Sequence, residues 1–143
     1  MIEITKEDFS IDKMIKRAKR EDAGAIVTFL GTVRNDGIDI MELEAFREVL
    51  LPELEGIHDE AVSRYSLKSV EIIHRIGSLH VGENIVAIVC SAGHRDEAFQ
   101  GCRYIIEELK KRAPIWKKEI GKNGESWVGH ERVHRCIVHN RPK

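Results

Sequence analysis

Apolar positions recur along the chain in two periods, and the switches between them divide it into elements. Ile11, Met14, Ile15 and Ala18 repeat at three and four residues and predict a short first helix. Asp12 sits near its start and Lys16, Arg17, Lys19 and Arg20 towards its end, the order that suits the helix dipole. Residues 25–34, AIVTFLGTVR, are β-branched and aromatic and predict a buried strand. Asn35, Asp36 and Gly37 then form a turn signal that returns the chain into IDIMELEAF, so the two runs are expected to pair as a hairpin. Gly31 within the first run marks a bulge or a close backbone approach. Leu54, Ile57, Ala61, Val62 and Tyr65 predict a second helix over residues 50–65. Residues 69–75 and 84–92 predict two further strands, the second apolar on both faces and hence central, with Gly77 and Gly82 in the connection between them.

The third helix opens at His94. Ala98, Cys102, Ile105, Ile106, Leu109 and Ala113 form its core-facing stripe, and Phe99, Arg103, Ile106 and Lys110 form a flank that can border a pocket. Pro114 stops the helix at about residue 112 or 113, because the residue before a proline is pushed out of the α region. Residues 115–120 predict a short strand carrying Trp116, Lys117 and Lys118, and GKNG turns it back into SWVG as a last hairpin. The tail at 129–143 has no period. With no repeat and no linker, the order α, β-hairpin, α, β, β, α, β-hairpin predicts a single α+β domain over residues 1–143.

Composition narrows the function. Charged residues at 33% and hydrophobic ones at 42% are those of a folded chain rather than a disordered one. No apolar run approaches the roughly 20 residues of a membrane helix, and MIEITKEDFS resembles neither a signal nor a transit peptide, so a cytoplasmic protein is expected. The net charge of -1 is unevenly placed: residues 1–102 carry 12 Lys and Arg against 19 Asp and Glu, and residues 103–143 carry 11 against 5. The basic last third is either a solvated surface or an attractor of anions.

Cys90, Cys102 and Cys136 are an odd set without a CxxC pair, which excludes a disulfide framework. Cys90 and Cys102 lie in apolar runs with no activating base beside them, and read as structural thiols. His130, His134, Cys136 and His139 have spacings that suit metal ligands, yet they stand in the tail without a second ligand element, so no metal is expected. Neither GxxxxGK[ST] nor GxGxxG is present, and the basic third lacks interleaved aromatics, so neither a nucleotide nor a nucleic acid is expected. What is left is Arg34, His94, Arg95, Lys110 and Lys117. His94 and Arg95 stand where a strand turns into a helix, a place that favours an anion. A lysine among other cations has a lowered pKa and can carry protons near neutral pH. Together they describe a small-molecule site for a phosphate-bearing substrate.

Five blocks in order, FLGTVRN (29–35), LEAF (43–46), HRIGSLHVGE (74–83), AGHRDEAF (92–99) and LKKRAPIWKKE (109–119) followed by ESW, resemble the large subunit of molybdopterin synthase, the MoaE family. The likeness runs from Gly24 to Val128. It implies an α/β hammerhead fold with a mixed, mainly antiparallel sheet, a homodimer, and a small ubiquitin-like MoaD-type subunit whose Gly-Gly C-terminus carries a thiocarboxylate. The implied reaction builds the dithiolene of molybdopterin on cyclic pyranopterin monophosphate, also called precursor Z, with no cofactor of its own. Lys110 and Lys117 match the family's catalytic lysines. Arg34, His94 and Arg95 match positions that hold the substrate, partly across the dimer, and Phe29 and Ile106 match apolar positions near it. Three departures stand out: the turn after Arg34 is short, Ile106 replaces a common methionine, and Glu131 with Arg132 stands where a basic residue is usual. The alternative implied by the same blocks is a non-catalytic homologue that binds the small subunit or a pterin as a scaffold. A thiol-dependent transferase using Cys90 or Cys102 is a further alternative.

Overall fold

The computed structural model describes residues 1–122 and 124–128. Its elements are β1 (Ile2–Thr5), α1 (Ile11–Ala18), β2 (Ala25–Thr32), β3 (Ile38–Glu44), α2 (Arg47–Tyr65), β4 (Ser69–Arg75), β5 (Gly77–His80), β6 (Asn84–Ala92), α3 (Arg95–Arg112), β7 (Trp116–Gly121) and β8 (Gly124–Val128). The strands form two four-stranded sheets, ordered β1-β4-β6-β2 and β5-β3-β7-β8. Every pairing is antiparallel except β1 with β4. The α+β class and the last hairpin, β7 with β8, stand as expected.

The expected hairpin of β2 with β3 does not form. β2 pairs with β6, whereas β3 leaves for the other sheet and pairs with β5 and β7. The Asn35–Gly37 stretch does bend the chain, with Gly37 at φ 81 and its amide donating to Asn35 Oδ1. A local turn signal does not choose strand partners, however, and the largely buried β6 offers β2 a larger apolar ladder than the half-polar β3. The connection expected at Gly77 contains β5, and β1 was not expected; each is four residues long, too short to show a period. α2 begins at Arg47, three residues before the periodic run, and ends at Tyr65, capped by Ser66 in the left-handed conformation at φ 52.

α2 and α3 pack over one face of the first sheet. Leu50, Leu54, Ile57, Ile72, Ile88, Ile105 and Leu109 form the main core there. On the opposite face α1 places Met14 and Ala18 over Ile73, Ala87 and Val89. Ser10 caps α1 by accepting from the Lys13 amide. The buried Glu71 of β4 is matched there by Arg17, Nε to Oε1 at 2.7 Å.

α3 ends as its proline requires. Arg112 is its last residue, the Ala113 amide still donates to the Leu109 carbonyl at 2.9 Å, and Pro114 sends the chain into β7. Arg112 also ties α3 to α2, with Nε 2.8 Å from Glu53 and Nη1 2.6 Å from Glu60.

Candidate active site

The sheet-to-sheet junction leaves a cavity of about 370 Å³. Its floor is a row across the first sheet, Gly31 on β2, Val86 on β6 and His74 on β4, fixed by the register Gly31 to Val86 and His74 to Val86. Gly31 is needed here. A Cβ at this position would lie 3.0 Å from Val86 Cγ1 and 3.4 Å from Phe29 Cε2, and the ladder shifts register between Gly31 and Thr32. The second sheet supplies one wall, where Leu43 stands opposite Lys117 and Met41 opposite Glu119. α3 supplies the other, with Ile106 and Lys110 one turn apart and Leu109 between them. Arg34 and Asp36 stand at the rim as an ion pair, Nε to Oδ2 at 2.7 Å.

The bend at Pro114 is what brings the two lysines together. Lys110 closes α3, Lys117 starts β7, and both line the cavity. A continuous helix would hold them about 10 Å apart along its axis. Burial is the main cause that holds the Lys117 ammonium below the ordinary lysine range; the charges of Lys110 and Arg34 add to it, and Glu119 opposes. An amine so placed releases and takes up protons more readily at neutral pH than a surface lysine does.

Of the residues marked out by sequence, Phe29, Arg34, Ile106, Lys110 and Lys117 line this cavity, and His94 and Arg95 do not. His94 is the N-cap of α3 with its side chain 85% exposed, and Nδ1 is 3.9 Å from Glu97 Oε2. Arg95 and Lys110 occupy opposite ends of α3, about 22 Å apart along its axis. Within one chain the two groups therefore cannot share a ligand of ordinary size. Phe99 and Arg103, the upper half of the expected flank, are exposed.

His74, Glu119, Thr32 and Asp36 are cavity residues that sequence reasoning did not assign. Alternation along β7 puts Glu119 on the face of Lys117, the one signal that was available for it. Cys90 and Cys102 are buried in the core, and Cys102 Sγ lies 3.9 Å from the Ile88 carbonyl. The hydrogen bond to Cys102, and then burial, push the Cys90 thiol far above the usual thiol range, so it is no nucleophile at neutral pH. Among the described residues no three His, Cys, Asp or Glu side chains gather as a metal site. His130, Glu131, Arg132, His134, Cys136 and His139 lie outside the described residues. No described helix is long and apolar enough to cross a membrane.

Comparison with known proteins identifies the family. The family model described as MoaE protein matches residues 4–112. The molybdopterin synthase catalytic subunit of Pyrococcus abyssi is 42% identical over 130 residues, covering 88% of each chain. That of Bacillus subtilis is 40% identical over 144 residues, covering 98% of this chain and 92% of its own. The crystal structure of molybdopterin synthase from Staphylococcus aureus superposes with a TM-score of 0.84 at 34% identity, covering 89% of this chain and 96% of that one. A complex of subunits 1 and 2 of the molybdopterin-converting factor from Helicobacter pylori shares the fold, with a TM-score of 0.77 at 21% identity over 96% of this chain and 98% of that one. Sequence and fold converge on one assignment: the chain belongs to the MoaE family, that of the molybdopterin synthase catalytic subunits.

Proposed function

We propose that the cavity closed by Lys110, Lys117 and Arg34 is the site at which this chain, as the catalytic subunit of molybdopterin synthase, transfers sulfur to cyclic pyranopterin monophosphate. The observation that carries the reading is the convergence of two lysines from α3 and β7 on one cavity, the second of them partly buried and held below its ordinary pKa. Sulfur arrives as the thiocarboxylate at the Gly-Gly end of a small ubiquitin-like partner, so the chain needs no activated cysteine, and its two described cysteines are core residues. Two loaded partners are used for each dithiolene.

In this reading Lys117 and Lys110 share the proton transfers that accompany opening of the cyclic phosphate, addition of sulfur and loss of water. Arg34 meets the phosphate at the rim, and Phe29 and Ile106 bound the ring system. His94 and Arg95 act in the cavity of a second copy of the chain, since in their own they stand an α3 length away. The working form is a homodimer of this chain with one small partner on each, in the cytoplasm.

The test combines the purified chain, thiocarboxylated small partner and cyclic pyranopterin monophosphate, and measures molybdopterin. Formation of product by wild type and its loss in Lys117→Ala, with the small partner still bound, is the expected result. A wild-type chain that makes none, beside a known large subunit that does, refutes the assignment and favours a scaffold that only binds.

A further inference from the structure

Asp36 lines the cavity, and the chemistry described so far gives it no task. The backbone just ahead of it is anchored. Val33 is 2% exposed, its amide donates to the Glu83 carbonyl at 3.0 Å, and its carbonyl accepts from the Gly82 amide at 2.7 Å. The Arg34 side chain that follows is 85% exposed. A long side chain in water gives up much rotamer freedom when it grips an anion, and that loss weakens the grip. Here Arg34 Nε already donates to Asp36 Oδ2 at 2.7 Å. The turn itself makes no use of this carboxylate: Gly37 takes the left-handed φ of 81, and its amide donates to Asn35 Oδ1 at 3.3 Å. Among the described residues, Arg34 is the one hydrogen-bond partner of the Asp36 side chain.

A guanidinium presents Nε on its side and the two Nη groups at its end. Asp36 takes the side of Arg34, and neither Nη donates to any described residue. The end of the fork matches two oxygens of a phosphate. We propose that Asp36 is a positioning residue: its carboxylate holds Arg34 by Nε and keeps the Nη pair aimed at the phosphate of the bound substrate. Part of the ordering that phosphate binding requires is then done beforehand. The carboxylate also offsets some of the guanidinium charge, so its orienting effect is measured between variants of equal charge. The inference rests on the cavity being the pterin phosphate site proposed above.

The test compares Asp36→Asn with Asp36→Ala, which remove the same charge and differ in the acceptor left for Nε; intact mass confirms that the first keeps its amide. Binding of cyclic pyranopterin monophosphate is measured without the small partner, and turnover is measured with it. Asp36→Ala is expected to have a Kd and a KM for the pterin roughly three- to fivefold above those of Asp36→Asn, the range of an exposed ion pair, with equal kcat. In the Arg34→Lys background, where the side chain has no Nε, the two Asp36 variants are expected to bind alike. Equal affinities beside Arg34, tighter binding by Asp36→Ala, or a gap that persists in the Arg34→Lys background overturns the role of Asp36 alone. A wild-type chain that neither binds nor converts the pterin overturns the proposed function, and this inference with it.

Discussion

Replacing Lys117 by methionine separates stability from chemistry, because the structure asks the two to move in opposite directions. Lys117 lines the cavity together with Leu43, Ile106, Leu109 and Ile115, and burial first, then the charges of Lys110 and Arg34, work against its own charge. Methionine keeps an unbranched stem in the same space and needs no solvation. Removing a poorly solvated charge of this kind is worth about 1 kcal/mol, or about 4 °C in Tm for a chain of this size. The sign follows from linkage. A lysine whose folded pKa is lowered costs stability below that pKa, and the cost fades as pH rises towards the ordinary 10.5. The stability gain of Lys117→Met should therefore be full at neutral pH and shrink in alkali. Loss of a general acid-base group lowers turnover by about 10² to 10⁴, or roughly 2.7 to 5.4 kcal/mol of barrier. Thermal unfolding across pH and steady-state molybdopterin formation read the two effects. A variant that melts below wild type, or that keeps more than about a tenth of wild-type turnover, would refute the placement of Lys117 as a buried proton carrier.

Lys110→Gln removes one of the causes that lower the Lys117 pKa, so the limb of the kcat pH profile that reports Lys117 should move to higher pH; an unmoved limb would show that the lysines are not coupled. An equimolar mixture of Lys117→Met and Arg95→Ala chains, denatured and refolded together, should regain part of the activity that each lacks alone. No recovery would mean that Arg95 does not serve the cavity of a second copy. Cys90→Ala and Cys102→Ala should lower the urea midpoint while turnover stays within about threefold, and a loss of turnover in a folded variant would reopen thiol chemistry. Gly24→Ala would place a Cβ 2.6 Å from the Gly93 carbonyl oxygen, backbone against backbone, and should cost about 1 to 3 kcal/mol in urea unfolding; an unchanged midpoint would show that the β2 start and the β6 exit are free to separate.

The candidate site was half legible from the chain alone. Lys110 and Lys117 stood out as part of the remaining cationic set and by the family resemblance, and the helix stop expected at Pro114 is where the structure has it: α3 ends at Arg112 and both lysines line one cavity. Gly31 was legible for a local reason, since a glycine in a β-branched run marks a close approach, and Val86 makes it. His74 was not legible. Nothing in SVEIIHR tells which alternate residue faces a cavity and which faces α1, because β4 is buried on both faces. His94 and Arg95 were grouped with the lysines by residue type, and only the length of α3 shows that one chain keeps them apart.

By itself the sequence determined what depends on neighbours a few residues away: the amphipathic stripe of α3, its stop at Pro114, the charge order of α1, and the closing hairpin of β7 and β8. The tertiary structure alone decided what depends on partners far along the chain. β2 chose β6 over the adjacent β3, four-residue β1 and β5 became strands because other strands were there to pair with them, and two sheets met to leave a cavity. The physical reason is that capping, turns and helical periodicity are set by local torsions and short-range hydrogen bonds, whereas strand partners and cavities are chosen by burial of apolar surface over the whole chain.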